Sequence, residues 1–333
     1  MDPGPRDRSL PVKLSVAVPF YADADRLAAA LASLVAQDCD DWDAIVVDDA
    51  GPSPDARDVV ARIGGGRIRY VRNPENLGLA GNWNRCLELA EHDHVTLFHA
   101  DDELAPDYVR RVLDTHRAFP DAVAVFTGAT VVGPDGAPIL SIPDEVKRFT
   151  RPRPRNGFVH VFGEPGLVSL LRGQHIFCPS LSYRRDRLPT PVFRPQWRQV
   201  TDLDLLARVL LDGGRVVGVD APAYRYRRHD ENQTAVLTAS LERVREEFAV
   251  YDEIGAASRA RGWTRAASTA RRAMIVRLHL RYRSIEALLA RDGARYRACT
   301  ALLRERSSGR GGRGTEEPRN VDLWRCPRGR SRP

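Results

Sequence analysis

Two pairs of carboxylates stand at the ends of apolar runs in this chain. Ile45-Val46-Val47 ends in Asp48-Asp49, and Val95-Thr96-Leu97-Phe98 ends in His99-Ala100-Asp101-Asp102. A short apolar run bounded by turn residues reads as a buried strand. The carboxyl ends of such strands are where open α/β sheets bind ligands. Neighbouring carboxylates repel each other unless a cation or hydrogen-bond donors compensate. The chemistry they suggest is a divalent metal held against a phosphate-bearing ligand. The simpler alternative is that each pair caps the helix that follows. Asn73, Asn76 and Gly78 precede a helix start, whose backbone donors and dipole favour an anion.

These groups need a scaffold, and the pattern between them supplies one. Strands are expected at 14–19, 44–48, 67–72, 95–99 and 122–126. Helices are expected at 25–37 (Leu27, Leu31, Leu34 and Val35 on its apolar face), near 55–63, at 79–90 and at 106–119. Alternating β and α elements imply an α/β fold with a mostly parallel central sheet flanked by helices. Residues 133–163, rich in Pro, Gly and Arg, read as a long loop or lid over the site. A helix near 165–172, a strand near 180–184, a helix at 201–212 and a strand at 215–219 complete the core. From 239 to 305 the chain reads as helical, with an apolar face made by Ile275, Leu278, Tyr282, Ile285 and Leu289. The expected organisation is a disordered 1–12, a catalytic-type domain at 13–235, a helical C-terminal extension at 236–305 and a disordered basic tail at 306–333.

Composition narrows the class. The 333 residues are 43% hydrophobic and 29% charged, as in globular proteins. No run is apolar enough to span a membrane, and the first residues lack the apolar stretch of a secretory signal. Cys39, Cys86, Cys178, Cys299 and Cys326 occur singly, giving neither a disulfide framework nor a zinc site. A cytoplasmic location is expected. The net charge is +7, and residues 304–333 hold nine Arg against four acids. That tail is read as solvated, with peripheral contact to an anionic membrane as its alternative and no nucleic-acid partner expected.

The order of short segments resembles a family 2 glycosyltransferase of the GT-A fold. The resemblance rests on Ser15-Val16-Ala17-Val18-Pro19-Phe20-Tyr21, Ser33-Leu34-Val35-Ala36-Gln37-Asp38, Val46-Val47-Asp48-Asp49, Asn73-Pro74-Glu75-Asn76-Leu77-Gly78 and Asn82-Trp83-Asn84-Arg85. It continues through His99-Ala100-Asp101-Asp102, Thr201-Asp202-Leu203-Asp204 and Arg228-His229. It covers roughly residues 14–230.

The resemblance implies an inverting transfer of a sugar from a nucleotide-diphosphate donor, most often UDP-linked, to a glycan, lipid-linked or small-molecule acceptor. Pro19, Tyr21, Asp49, Asn76 and Asp101 would bind the nucleotide sugar. Asp101, Asp102 and His229 would hold Mn²⁺ or Mg²⁺, with His99 standing where the family usually has its first Asp. Asp202 would be the general base, and His175 and Ser180 would lie on the acceptor side. Trp83 reads as core packing, and Cys178 has no base beside it to make it a nucleophile. A nucleotidyltransferase is disfavoured, because the loop Pro19-Phe20-Tyr21-Ala22-Asp23 is neither Gly-rich nor basic. The rival from another class is a catalytically inactive sugar-nucleotide-binding or scaffold protein of the same fold.

Overall fold

A computed structural model describes residues 12–139, 151–228 and 241–307. The first half alternates strand and helix as expected: β1 (Leu14–Phe20), α1 (Ala24–Val35), β2 (Trp42–Asp48), α2 (Ala56–Gly64), β3 (Ile68–Arg72), α3 (Gly78–Leu89) and β4 (His94–Leu97). A two-residue β5 (Glu103–Leu104) precedes α4 (Tyr108–Ala118) and β6 (Ala124–Val132). Then come β7 (Phe158–Phe162), α5 (Gly163–Arg172), a 3-10 turn at Cys178–Ser180, β8 (Leu181–Arg184), α6 (Thr201–Leu211) and β9 (Arg215–Arg227). Four further helices follow: α7 (Glu242–Ala260), α8 (Thr264–Arg272), α9 (Met274–Leu289) and α10 (Gly293–Ser307).

The strands join in the order β3-β2-β1-β4-β8-β6-β9-β5, with β7 also paired to β9. β1, β2, β3 and β4 run parallel, and β8 is antiparallel to both β4 and β6. β1 and β2 are buried along almost their whole length, as strands covered by helices on both faces must be. The chain winds outward from β1 through β2 to β3, then returns to β1's other side as β4. Such a reversal opens a crevice at the carboxyl ends of β1 and β4; Asp101 and Asp102 follow β4, and Asp48 ends the neighbouring β2.

Three expectations change. Val35, expected on the apolar face of α1, is 46% exposed, whereas Leu27, Leu31 and Leu34 are fully buried. The segment 133–163, read as one loop or lid, contains β7. There Val159 and Val161 alternate into the core and pair antiparallel with β9, and the Pro- and Arg-rich flank conceals this period of two. Residues 140–150 of that expected lid lie outside the described residues. Finally, the strand at 215–219 and the basic stretch after it form one thirteen-residue strand, β9.

The chain divides into two compact units, residues 1–279 and 280–333. Helices α7 and α8 belong to the first. Tyr251 donates from α7 to the Leu171 carbonyl (2.8 Å), and Glu164 accepts from the Arg265 and Ala266 amides at the start of α8. In the second unit, α10 begins at Asp292, whose side chain accepts from the Arg295 amide.

Candidate functional site

The β2 tip is built around two buried carboxylates. Asp48 accepts from the Gly51 amide, the Tyr70 hydroxyl and the Arg72 guanidinium. Asp49 accepts from the Asn73 side chain (2.9 Å) and from the Leu77 and Gly78 amides (2.9 and 3.0 Å). The anion that the start of α3 favours is thus Asp49 itself, anchored at the adjacent strand tip. Burial raises the Asp49 pKa, and these three donors oppose the rise. Asn76 is exposed, and its side chain accepts from the Gly78 amide in a local turn.

Beside this tip, Gly51, Pro52, Pro54, Arg57, Tyr70 and Arg72 line a cavity of about 400 Å³. Tyr21 borders the same region. A Cβ on Gly51 would fall 1.6 Å from the Tyr21 carbonyl oxygen, so only glycine permits the two loops to meet. Pro19 and Tyr21 are half-buried at the end of β1.

The turn after β4 carries the second acidic group. Ligand atoms of His99, Asp101 and Asp102 all lie within 4.8 Å of one another. Asp102 is 1% exposed; it accepts from the Tyr224 hydroxyl (2.9 Å) and the Arg227 amide (2.8 Å), which ties this turn to β9. Burial, then the neighbouring Asp101 charge, raises the Asp102 carboxyl well above the usual range, while burial lowers His99. The His99 Nε2 is shielded from solvent without a hydrogen-bond partner. The His99 Nδ1 lies 3.9 Å from an Asp102 carboxylate oxygen, and an imidazole clustered with two carboxylates is a donor set that fits a divalent cation. A second cluster, Asp43, Glu91 and His92, lies at the amino ends of β2 and β4, on the opposite edge of the sheet.

Segments that carry no chemistry hold this turn in place. Ser33 accepts from the Leu104 amide; Gln37 donates to the Ala105 carbonyl and accepts from the Val109 amide. The Asp38 amide adds a bond to the Pro106 carbonyl. Along α3, Asn82 donates to the Val47 carbonyl and accepts from Asn73, while Asn84 makes two bonds to the backbone of Phe193. Trp83 is 5% exposed, core as expected, yet its ring lies 5.4 Å from that of His99 and 5.0 Å from that of Phe193. It therefore sets where the imidazole stands.

The antiparallel pairing of β8 with β4 (Thr96 opposite Ser182) lifts the Cys178–Ser180 turn beside the β4 tip. Asp202, in the first turn of α6, accepts from Gln174 (3.0 Å) and from the Leu203 amide (2.8 Å). Asp204 has a different role, being buried between Arg194 and Arg208. Burial, reinforced by the Asp202 charge, raises the Cys178 thiol, which removes it as a nucleophile at neutral pH. Ser180 is fully buried and donates to the Phe177 carbonyl. His175 is 7% exposed, so both residues expected on the acceptor side lie beneath its surface.

His229 lies outside the described residues. Arg225 and Arg227 share one face of β9 as alternation requires, and both pair with Glu103. Sequence reasoning missed Tyr70 and Arg72 on β3 and Tyr224 on β9, which hold the two acidic tips; lying on strands remote in sequence from the acids they bind, they give no local signal.

Burial lowers the pKa of His175 to about 4. A histidine whose folded pKa lies below its unfolded value stabilises the fold above the unfolded pKa, and that stability is lost as pH falls through the folded one. Between pH 6.5 and 4, His175 should cost about 3 kcal/mol of stability. Urea melts across that window check this, and His175→Gln should flatten the slope.

Comparisons with known proteins bear on the fold that carries these residues. The family model for glycosyl transferase family 2 matches residues 15–173. The chain is 33% identical over 93 residues to the uncharacterized protein MT1568 of Mycobacterium tuberculosis. It is 28% identical over 95 residues to WcaA of Escherichia coli K12, named as a colanic acid biosynthesis glycosyl transferase. Each alignment covers 28% of this chain, and 29% and 34% of those relatives. Among solved structures, S. aureus TarS in complex with UDP-GlcNAc superposes with TM-score 0.52 at 16% identity, over 88% of this chain and 92% of that one. The mannosyltransferase PcManGT of Pyrobaculum calidifontis, in complex with GDP-Man and Mn²⁺, gives 0.53 at 16% identity, over 90% and 85%. At such identity the likeness is one of fold. Residues 15–173 match glycosyl transferase family 2, and the chain has the GT-A fold of the solved glycosyltransferases it superposes on.

Proposed function

We propose that this enzyme moves a sugar from a nucleotide-diphosphate donor, UDP-linked in the first instance, to an acceptor hydroxyl with inversion at the anomeric carbon. The observation that carries the reading is the His99–Asp102 turn at the β4 tip, with the Cys178–Ser180 turn beside the same tip and the Asp202 charge close enough to act on Cys178. The donors bound by TarS and PcManGT, UDP-GlcNAc and GDP-Man, support the ligand class.

In this reading the cavity walled by Gly51, Tyr70 and Arg72, with Tyr21 at its rim, takes the nucleoside. Asp49 acts there by holding the Asn73–Gly78 turn against the β2 tip. Asp202 accepts the acceptor's proton as the acceptor oxygen bonds to the anomeric carbon. The old bond to the diphosphate oxygen breaks, and its electron pair leaves with the diphosphate. His99, Asp101 and Asp102 would hold a divalent cation, which neutralises charge on the departing diphosphate. An imidazole among the ligands suits Mn²⁺ better than Mg²⁺.

A second reading, an inactive sugar-nucleotide-binding protein, is favoured by one observation: Asp102 is already engaged by Tyr224 and Arg227. Thermal shifts with UDP-, GDP-, dTDP- and CMP-sugars, each with Mn²⁺ and with EDTA, test both. One nucleotide class should stabilise the protein in Mn²⁺ only, and should be hydrolysed or transferred slowly. Stabilisation with no turnover supports the inactive reading. No stabilisation by any donor overturns the first.

A further inference from the structure

Helix α9 presents two opposite apolar faces. Val276, Leu280 and Ala287 are buried on one. On the other, Tyr282, Ile285 and Leu289 are 59%, 56% and 79% exposed, and Met274 and Leu278, 54% and 50% exposed, continue the same face toward the amino end. At 100° per residue these five side chains fall within an arc of about 80°, a stripe roughly 22 Å long. Arg277 and Arg281 flank one edge, together with the exposed Leu288.

The charge around this stripe is one-sided. Residues 280–333 contain fourteen Arg and six acids, a net +8, so residues 1–279 sum to −1. Within α9 and α10 the exposed arginines include Arg281, Arg297 and Arg304. A second copy docking on the stripe would bring a second cationic unit against the first, at a repulsive cost. An anionic lipid surface offers the complementary sign and an apolar layer of the depth that such side chains enter. Among the described residues no helix is long and apolar enough to cross a membrane, so the contact is in the plane of the interface.

We propose that α9 is an interfacial helix that docks this enzyme on a bilayer carrying anionic lipid, with the Met274–Leu289 stripe in the acyl boundary and the surrounding arginines on the headgroups. This holds independently of which donor or acceptor the catalytic site takes. Co-sedimentation of the full chain with phosphatidylcholine vesicles, with and without phosphatidylglycerol, tests it.

Binding should require phosphatidylglycerol, weaken with added salt, and fall about tenfold or more in Tyr282→Glu/Ile285→Glu. Those positions are solvent-exposed, so unchanged circular dichroism and Tm certify the fold. Equal binding by the double variant, or no binding by the parent chain, overturns the proposal. So does a dimer, seen by sedimentation velocity, that the same substitutions dissociate without any vesicle binding.

Discussion

Asp202→Asn is expected to lower kcat for sugar transfer by roughly 10²–10⁴-fold, the usual contribution of a positioned general base, while donor affinity is unchanged. That loss corresponds to about 3–5 kcal/mol of transition-state stabilisation. The substitution isolates basicity from position. Asp202 accepts one bond from the Leu203 amide, which a carboxamide oxygen can also accept. A second donor to it is Gln174, whose own Oε1 is buried without a partner. The Gln174 amide can therefore rotate and accept from the new side chain, so the start of α6 keeps its geometry. Asp204→Asn is the matched control two residues on. It weakens the Arg194–Asp204–Arg208 cluster, and its effect should fall on stability, with turnover per folded molecule retained. Steady-state kinetics with donor Kd measured separately decide the matter. Near-normal kcat in Asp202→Asn would remove it as the base.

How far the sequence reads depends on the range of each interaction. The alternation of strands and helices through residue 126 is local, and so are the acidic tips; both are legible from periodicity and turn residues. What the tips are bonded to is not. Asp102 meets Tyr224 and Arg227 across more than 120 residues, and Asp48 meets Tyr70 and Arg72 through a neighbouring strand. Asp49 shows the resulting ambiguity well. An acid at a strand tip reads equally as a ligand for the nucleoside or as a cap, and only the fold reveals α3's first amides around it. Ser33 and Gln37 enter the reading through resemblance alone; their purpose, bracing the loop after the acidic turn, appears only when α1 and that loop are seen together. Periodicity likewise shows that α9 has an apolar face without saying that this face is left uncovered.

The roles within the acidic turn should separate under mutation. Asp101→Ala is expected to lower kcat/KM by about 10²–10³-fold, the several kcal/mol that charge neutralisation at a leaving group supplies. It should also abolish Mn²⁺-dependent donor binding. Asp102→Ala should do both and in addition lose about 2–4 kcal/mol of stability in EDTA. Removing that buried carboxylate leaves the Tyr224 hydroxyl and the Arg227 amide without their acceptor. His99 provides the third, chain-specific test. In His99→Asp the ligand set becomes all oxygen, which suits Mg²⁺ as well as Mn²⁺, so the ratio of Mn²⁺- to Mg²⁺-supported activity should fall. Isothermal titration of each metal in the presence of donor gives the binding side of that comparison independently of turnover. If donor binding ignores EDTA and Asp101→Ala keeps full activity, the turn serves only to fasten β4 to β9. Charge on the leaving diphosphate would then have to be met by cationic side chains instead.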